Sequence, residues 1–299
     1  MKKIFAKPKK LRKASDVEKA LHQNPAANSV LRKLRSYLDT TEPELVYFLV
    51  NLWKNQGKAI TYKEMREAIL NGDVKPEWIE DWQQDYSKFI IANLQPKWLE
   101  AMAAANAERE EKYPDWYFNP AADEVRKWTE SRAAELVTQV TRDQVDALRA
   151  VVQMATQLQI ITIDELARAI RPTIGLTKPQ SVANIRYYNK LIDSGMKAAK
   201  ARDLAARYAA RQHRWRAYMI ARTETATAYN KGALEGAKQA QAKGYLDEDM
   251  VKVWCTAEDE RVCDKCQRDG KEYALNDNRV KAPAHPGCRC TWLIKKPSK

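Results

Sequence analysis

Apolar residues along this chain recur three and four positions apart over most of its length, the spacing of one face of an α-helix. Leu45, Phe48, Leu49 and Leu52 form such a run. Thr41-Glu42-Pro43-Glu44 before them has the form of a capping box with proline in the first turn, and Gly57 follows, so a helix is expected from Thr41 to Gly57. Thr61-Tyr62-Lys63-Glu64 is a second start, closed by Asn71-Gly72. Thr162-Ile163-Asp164-Glu165 opens a short helix that ends at Arg171-Pro172, and Thr177-Lys178-Pro179-Gln180 opens another. These starts have no fixed period, which indicates a multi-helix domain and not a solenoid.

Between residues 76 and 120 the pattern is aromatic. Trp78 and Trp82 share a helix face, with Phe89 farther along, and Trp98 and Trp116 follow. A stripe of this kind reads as core, with an exposed partner platform as the alternative. Tyr113 to Pro120 reads as a loop bracketed by prolines, before a long helix running to about residue 160 with a break near Thr141. Residues 197–243 lack proline, and Leu204, Tyr208, Trp215 and Met219 mark a packing face. Unbroken, that helix spans ~70 Å at ~1.5 Å per residue, with Gly244 as its stop. Gly232 and Gly236 within it admit a close backbone or mark a bend. The period then changes. Met250 to Thr256 reads as a strand with Cys255 on its core face, and Thr291 to Ile294 extends a final strand.

Composition supports a mainly α protein: the chain of 299 residues has only 9 glycines and 4 phenylalanines, with 44% hydrophobic residues to bury. Charge adds an organisation that periodicity does not show. Of the net +13, residues 1–40 hold 11 Lys/Arg against 3 Asp/Glu, 41–170 hold 15 against 22, and 171–244 hold 15 against 4. The expected division is a basic N-terminal arm (1–40), a helical domain (41–172), a long basic helical region (173–244) and a Cys/His module (245–299). Lys2 to Lys13 carries seven basic residues and no acid, and is expected to be a mobile arm. Lys197, Lys200, Arg202, Arg207, Arg211, Arg214 and Arg216 crowd the start of the long helix, where Asp203 is nearly the only acid. They form a candidate surface for a polyanion or an acidic partner, and on DNA they would contact phosphates with little sequence preference; a solvated face is the alternative. Arg222 and Glu224 are two apart, so each is expected to reach a different part of the fold. No apolar run is long enough to cross a bilayer and no secretory signal is present, so assembly in a reducing cytoplasm is expected.

The chemistry concentrates near the C-terminus. Cys263-Asp264-Lys265-Cys266 is followed, eighteen residues later, by His285-Pro286-Gly287-Cys288-Arg289-Cys290, four of the five cysteines and one of three histidines. A two-residue gap lets both sulfurs turn to one point, and a second His/Cys pair closes a tetrahedron. Zinc suits thiolate with imidazole. Cys288 or Cys290 completes the set beside Cys263, Cys266 and His285; disulfides or free thiols are the alternatives. No His-x-Glu or His-Glu-x-x-His supplies a catalytic base, so the metal reads as a structural clasp. His22 and His213, far from these residues, are expected to be structural or solvated.

Several of these motifs follow one another in a telling order. Ile174-Gly175-Leu176-Thr177 comes first, then Ile220-Ala221-Arg222-Thr223-Glu224, Asn230 and Gly232. Val253-Trp254, Asp259-Glu260-Arg261-Val262-Cys263-Asp264-Lys265-Cys266 and His285 to Cys290 complete the series. The succession resembles the phage Mu F-like minor head protein, or phage head morphogenesis, family over residues 175–294; residues 1–120 carry no matching motif. The resemblance implies a minor capsid protein of a tailed bacteriophage. It would be made in the host cytoplasm and carried in the virion, inside the head near the portal. Its partners would be the portal protein, the capsid interior and double-stranded DNA bound non-specifically, with no membrane. Some relatives carry a toxin or enzyme domain after the Cys/His module; this chain ends nine residues after Cys290, so none is expected. The expectation is an assembly protein and not an enzyme. A cytosolic zinc-containing nucleic-acid-binding protein is the alternative, and a metal-dependent nuclease or toxin comes third.

Overall fold

The computed structural model describes residues 22–156, 162–257 and 262–298. The basic stretch Lys2 to Lys13 and the acidic turn Glu258 to Arg261 lie outside them. Helices dominate: α1 (Pro25–Ala59), α2 (Tyr62–Asn71), α3 (Pro76–Phe89), α4 (Gln95–Ala104), α5 (Ala107–Lys112), α6 (Asp123–Thr156), α7 (Ile163–Ile170), α8 (Lys178–Asp193) and α9 (Ala198–Ala242). A π-helical turn, Ile90–Leu94, joins α3 to α4. Three strands follow, β1 (Val251–Cys255), β2 (Glu272–Ala274) and β3 (Thr291–Lys295). Among the described residues no helix is long and apolar enough to cross a membrane.

The chain divides into two compact units, one of residues 41–100 and 120–224, the other of residues 1–40, 101–119 and 225–299. Most helix starts and stops follow their local signals. Thr61 and Thr177 each make a capping box, Thr162 caps α7 through the Glu165 amide, and Gly72 closes α2 in the left-handed conformation. Helix α6 shows no break at Thr141.

The expected start at Thr41 is wrong. Helix α1 begins at Pro25, where the Asn24 carboxamide oxygen accepts from the Ala26 and Ala27 amides at 3.0 and 3.4 Å, and it runs through Pro43. Glu42 does not cap; it is buried and paired with Arg222 at 2.9 Å. Nor does Gly57 end the helix, which closes two residues later. Arg171 reaches its last turn, donating from Nε to the Gly57 carbonyl at 2.6 Å and from Nη2 to the Lys58 carbonyl at 2.9 Å.

In the unit of residues 41–100 and 120–224 the core is aromatic. Trp78, Trp82, Phe89 and Trp98 are buried, as their spacing predicts, and Trp98 meets Trp128 edge-on at 5.6 Å. At its centre, the Trp53 indole donates to the Tyr86 hydroxyl at 2.8 Å, and Tyr86 donates to Gln144. Arg216 lies over the Trp53 ring at 5.3 Å. Its guanidinium donates to the Gly175 carbonyl at 2.6 Å and to Asp143 at 3.0 Å. Gly175, at φ 90°, turns the chain against the indole. His213 packs beside Trp53 at 5.6 Å and donates from Nε2 to the Ile174 carbonyl at 2.8 Å.

This placement gives His213 a titration signature. Burial, with a smaller effect from the nearby Arg216 charge, pushes its pKa down to about 4, below the ordinary 6.5. The neutral ring is the folded form, so its stabilisation is complete above pH ~6.5 and is lost as pH falls toward ~4. The full shift corresponds to about 3 kcal/mol. Urea unfolding of this unit is expected to show stability falling over that interval, and His213→Gln is expected to flatten the profile.

The packed face of α9 in this unit differs from the expected stripe. Leu204, Tyr208 and Met219 are half-buried and Trp215 is 60% exposed. The buried positions are Ala201, Ala205, Ala209, Ala217 and Ala221, whose small side chains admit close helix packing.

In the other unit, the second half of α9 carries Gly232 and Gly236 at a close approach. A Cβ on Gly232 would stand 2.3 Å from the Met102 Cα, and one on Gly236 1.9 Å from the Asn106 carboxamide oxygen. Asn106 donates to the Met102 and Gly232 carbonyls at 2.9 Å each. The close-approach reading of these glycines holds, and the bend does not. The antiparallel sheet has the order β2-β1-β3, with Trp254 opposite Trp292 and Cys255 opposite Thr291. Cys255 packs on Ala27 and Leu31 of α1, as a core thiol should. Burial pushes its pKa up to about 12. His22 is not remote from the Cys/His module, because its Nε2 lies 2.7 Å from Asp269.

Candidate metal centre and basic helix face

The metal-donor cluster is built on two short turns. Cys263 precedes a single 3-10 turn, Asp264–Cys266, whose Cys266 amide donates to the Cys263 carbonyl at 2.8 Å and brings both sulfurs to one side. The second turn needs glycine at its bend: Gly287 has φ 71°, and the Cys288 amide donates to the His285 carbonyl at 3.1 Å. His285 Nε2 then lies 3.2 Å from the Cys263 sulfur and 3.3 Å from that of Cys266, and the Cys266 and Cys288 sulfurs are 3.5 Å apart. Ligands around a tetrahedral zinc ion stand roughly 3.5–3.8 Å from one another, given Zn–S near 2.3 Å and Zn–N near 2.0 Å. These three spacings are therefore slightly tighter than those of a loaded site.

The imidazole is oriented for this role. Its Nδ1 lies 2.9 Å from the Pro286 carbonyl and donates to it, which leaves the Nε2 lone pair facing the sulfurs. All five predicted residues gather here, in two overlapping triplets of Cys263, Cys266 and His285, and Cys266, Cys288 and Cys290. All five cysteines are free, so the disulfide alternative does not describe this structure. The two late cysteines differ. Hydrogen bonding from the Cys290 thiol, and then from the Cys290 and Ala284 amides, brings the Cys288 thiol down to about 5. Cys290 is pushed up by its neighbour Cys288 and by burial, and its sulfur lies 3.4 Å from the Thr256 hydroxyl. Cys288 is thus poised as a thiolate and Cys290 as a protonated outer neighbour.

The cluster rests on a packed base of Trp254, Trp292 and Leu234 of α9. Asn230, one turn earlier on α9, ties helix to strand: its side-chain oxygen accepts from the Thr291 hydroxyl at 2.9 Å and the Trp292 amide at 3.2 Å. Its position in the motif series was visible in the sequence, but the partner strand was not. Thr256 carried no signal at all.

Arg222 and Glu224 do reach different parts of their unit. Arg222 donates to Glu42 at 2.9 Å and to the Tyr218 hydroxyl at 3.0 Å. Glu224 is buried and takes both arms of the Arg132 guanidinium, with Nε at 2.9 Å.

The predicted basic face divides. Arg216 is buried against Trp53 and Asp143, and Arg202 pairs with Glu165. These acids lie far along the sequence, so a count of acids on the helix itself missed them. Lys197, Lys200, Arg207, Arg211 and Arg214 are exposed, and of these Arg207 pairs with Asp203 at 2.9 Å.

No curated protein and no solved structure matches the chain. One family model, described as Phage Mu protein F like protein, matches residues 162–293. The match covers α7, α8, α9, β1, β2 and all five clustered Cys and His donors, and it contains the motif series from Ile174 to Cys290. Over residues 162–293 this chain is similar to the Phage Mu F-like protein family.

Proposed function

We propose that the chain is a minor head protein of a tailed bacteriophage, acting with the portal protein during head assembly, DNA packaging or ejection. The observation that carries this reading is the family match over residues 162–293. In this reading the protein stands inside the head near the portal, and its exposed lysines and arginines meet packaged DNA or an acidic protein surface.

Zinc is the metal we assign to the cluster, held by Cys263, Cys266, His285 and Cys288, with Cys290 beside them. The donor set favours it, since three thiolates and one imidazole fill a tetrahedron and leave no position for a substrate water. The ion then works as a clasp for a sheet of three short strands, too small to hold a large core of its own. A role without catalysis at this metal follows from that closed coordination.

The test is co-purification with the portal protein of the same phage, together with mass spectrometry of finished particles. Presence in both is the expected result. Presence in the portal complex alone would make it an assembly factor that leaves before maturation. Absence from both, with salt-dependent binding to DNA, would replace this reading with a zinc-containing nucleic-acid-binding protein.

A further inference from the structure

Helix α9 presents one more feature than a polyanion needs. Arg207, Arg211, Arg214 and Tyr218 are spaced four, three and four residues apart. At about 100° per residue they form one stripe, with Lys200 before them and Trp215 beside them. Opposite its first part lie the buried Ala201, Ala205 and Ala209, so from Lys200 to Arg214 this stripe is what the helix shows outward. Trp215 is 60% exposed and stacks on Tyr218, with ring centroids 5.7 Å and planes 29° apart. Arg211 lies 5.7 Å from the Tyr208 ring, which in turn meets Tyr187 edge-on at 5.4 Å. Lys200 and Arg214 have no acid partner among the described residues.

Cations alone suffice for the outside of a duplex, where contacts go to phosphates. An exposed indole beside them gains nothing there and carries a standing cost in water. Trp, Tyr and Arg together are the residue types that anchor protein interfaces, with the aromatic ring filling a pocket at the centre. The surplus of positive charge selects an acidic partner.

We propose that this stripe docks an acidic protein surface, with Trp215 entering an apolar recess and Arg207, Arg211 and Arg214 meeting carboxylates around it. The proposal rests on the assembly reading, which makes the portal protein the partner to try.

The experiment is hydroxyl-radical footprinting of Trp215 in the full chain, alone and with three probes: the portal protein of the same phage, a single-stranded oligonucleotide and a duplex of equal length. Oxidation of Trp215 is expected to fall severalfold with the portal protein and to stay unchanged with the duplex. Trp215→Ala is expected to weaken portal binding by about tenfold or more, the loss typical of an interface anchor. It should leave duplex affinity and the helical circular dichroism as they are. Portal binding with Trp215 unprotected overturns the proposal and leaves the assembly reading standing. Protection by the single strand without protection by the portal protein gives the stripe to nucleic acid. Protection that grows with the concentration of the chain alone gives it to a second copy. Failure of the parent chain to bind the portal protein overturns both.

Discussion

Cys266→Ser is expected to strip the metal from the C-terminal module and unfold it, while the helical unit of residues 41–100 and 120–224 keeps its dichroism. Cys266 is the donor common to both triplets of the cluster, and it is buried at 4% exposure. It faces His285 at 3.3 Å on one side and Cys288 at 3.5 Å on the other. Serine there offers a harder, shorter ligand in a pocket shaped for sulfur. Structural zinc contributes about 10–16 kcal/mol to small modules at neutral pH, so loss of the ion exceeds what three strands can supply. Elemental analysis is expected to fall from about one zinc per chain to near zero. Limited proteolysis should open residues 251–295, and the near-ultraviolet signal of the Trp254–Trp292 pair should collapse. Cys255→Ala supplies the contrast, since that thiol packs on α1 away from the donors and its loss should leave zinc in place. Cys288→Ala should lose the metal and Cys290→Ala should keep it. The reverse pattern would make Cys290 the fourth ligand. A chain that holds no zinc when freshly purified under reducing conditions would end the clasp reading.

The cluster was legible because its ligands are local. Two turns, each a few residues long, carry the donors, and cysteine and histidine are rare enough here to stand out. Helix ends with their own caps, such as Thr61, Thr162 and Thr177, were legible for the same reason. The start of α1 was also written locally, in Asn24-Pro25, but Thr41-Glu42-Pro43 imitates a start more fully. What decides between them is distant: Glu42 is held in the helix by Arg222, 180 residues away. The basic face failed in part by the same route. Glu165 and Asp143 take Arg202 and Arg216, and no spacing rule connects them. The packed face of α9 was misread because alanine gives a weak periodic signal and tryptophan a strong one, while the structure buries the alanines and exposes Trp215. A resemblance in motif order pointed to the family whose model matches residues 162–293, and the fold then gave Asn230 and Gly232 physical reasons: one ties α9 to β3, the other lets Met102 approach.

Gly175→Ala is expected to destabilise the unit of residues 41–100 and 120–224 by on the order of 3–5 kcal/mol, through two separate costs. The first is backbone: at φ 90° an L side chain is strained whatever the space around it. The second is steric. A Cβ at this position would stand 2.2 Å from Trp53 Cγ and 2.6 Å from its Cβ, far inside contact distance. The indole has nowhere to go, since it is 1% exposed, hydrogen-bonded to Tyr86 at 2.8 Å and covered by Arg216. Gly195 separates the two costs. It lies in the same unit at φ 82° with nothing within 4 Å of the added Cβ, so Gly195→Ala carries the backbone strain alone, about 1–2 kcal/mol. In urea, with a slope near 2 kcal/mol per molar, the Gly175 variant should unfold roughly 1.5–2.5 M earlier than the parent, and the Gly195 variant within about 1 M of it. Equal shifts for the two variants would mean that Trp53 yields to the added methyl group. The loop from Ile174 to Thr177 would then be held by its hydrogen bonds to His213 and Arg216, and not by the rigid indole behind it.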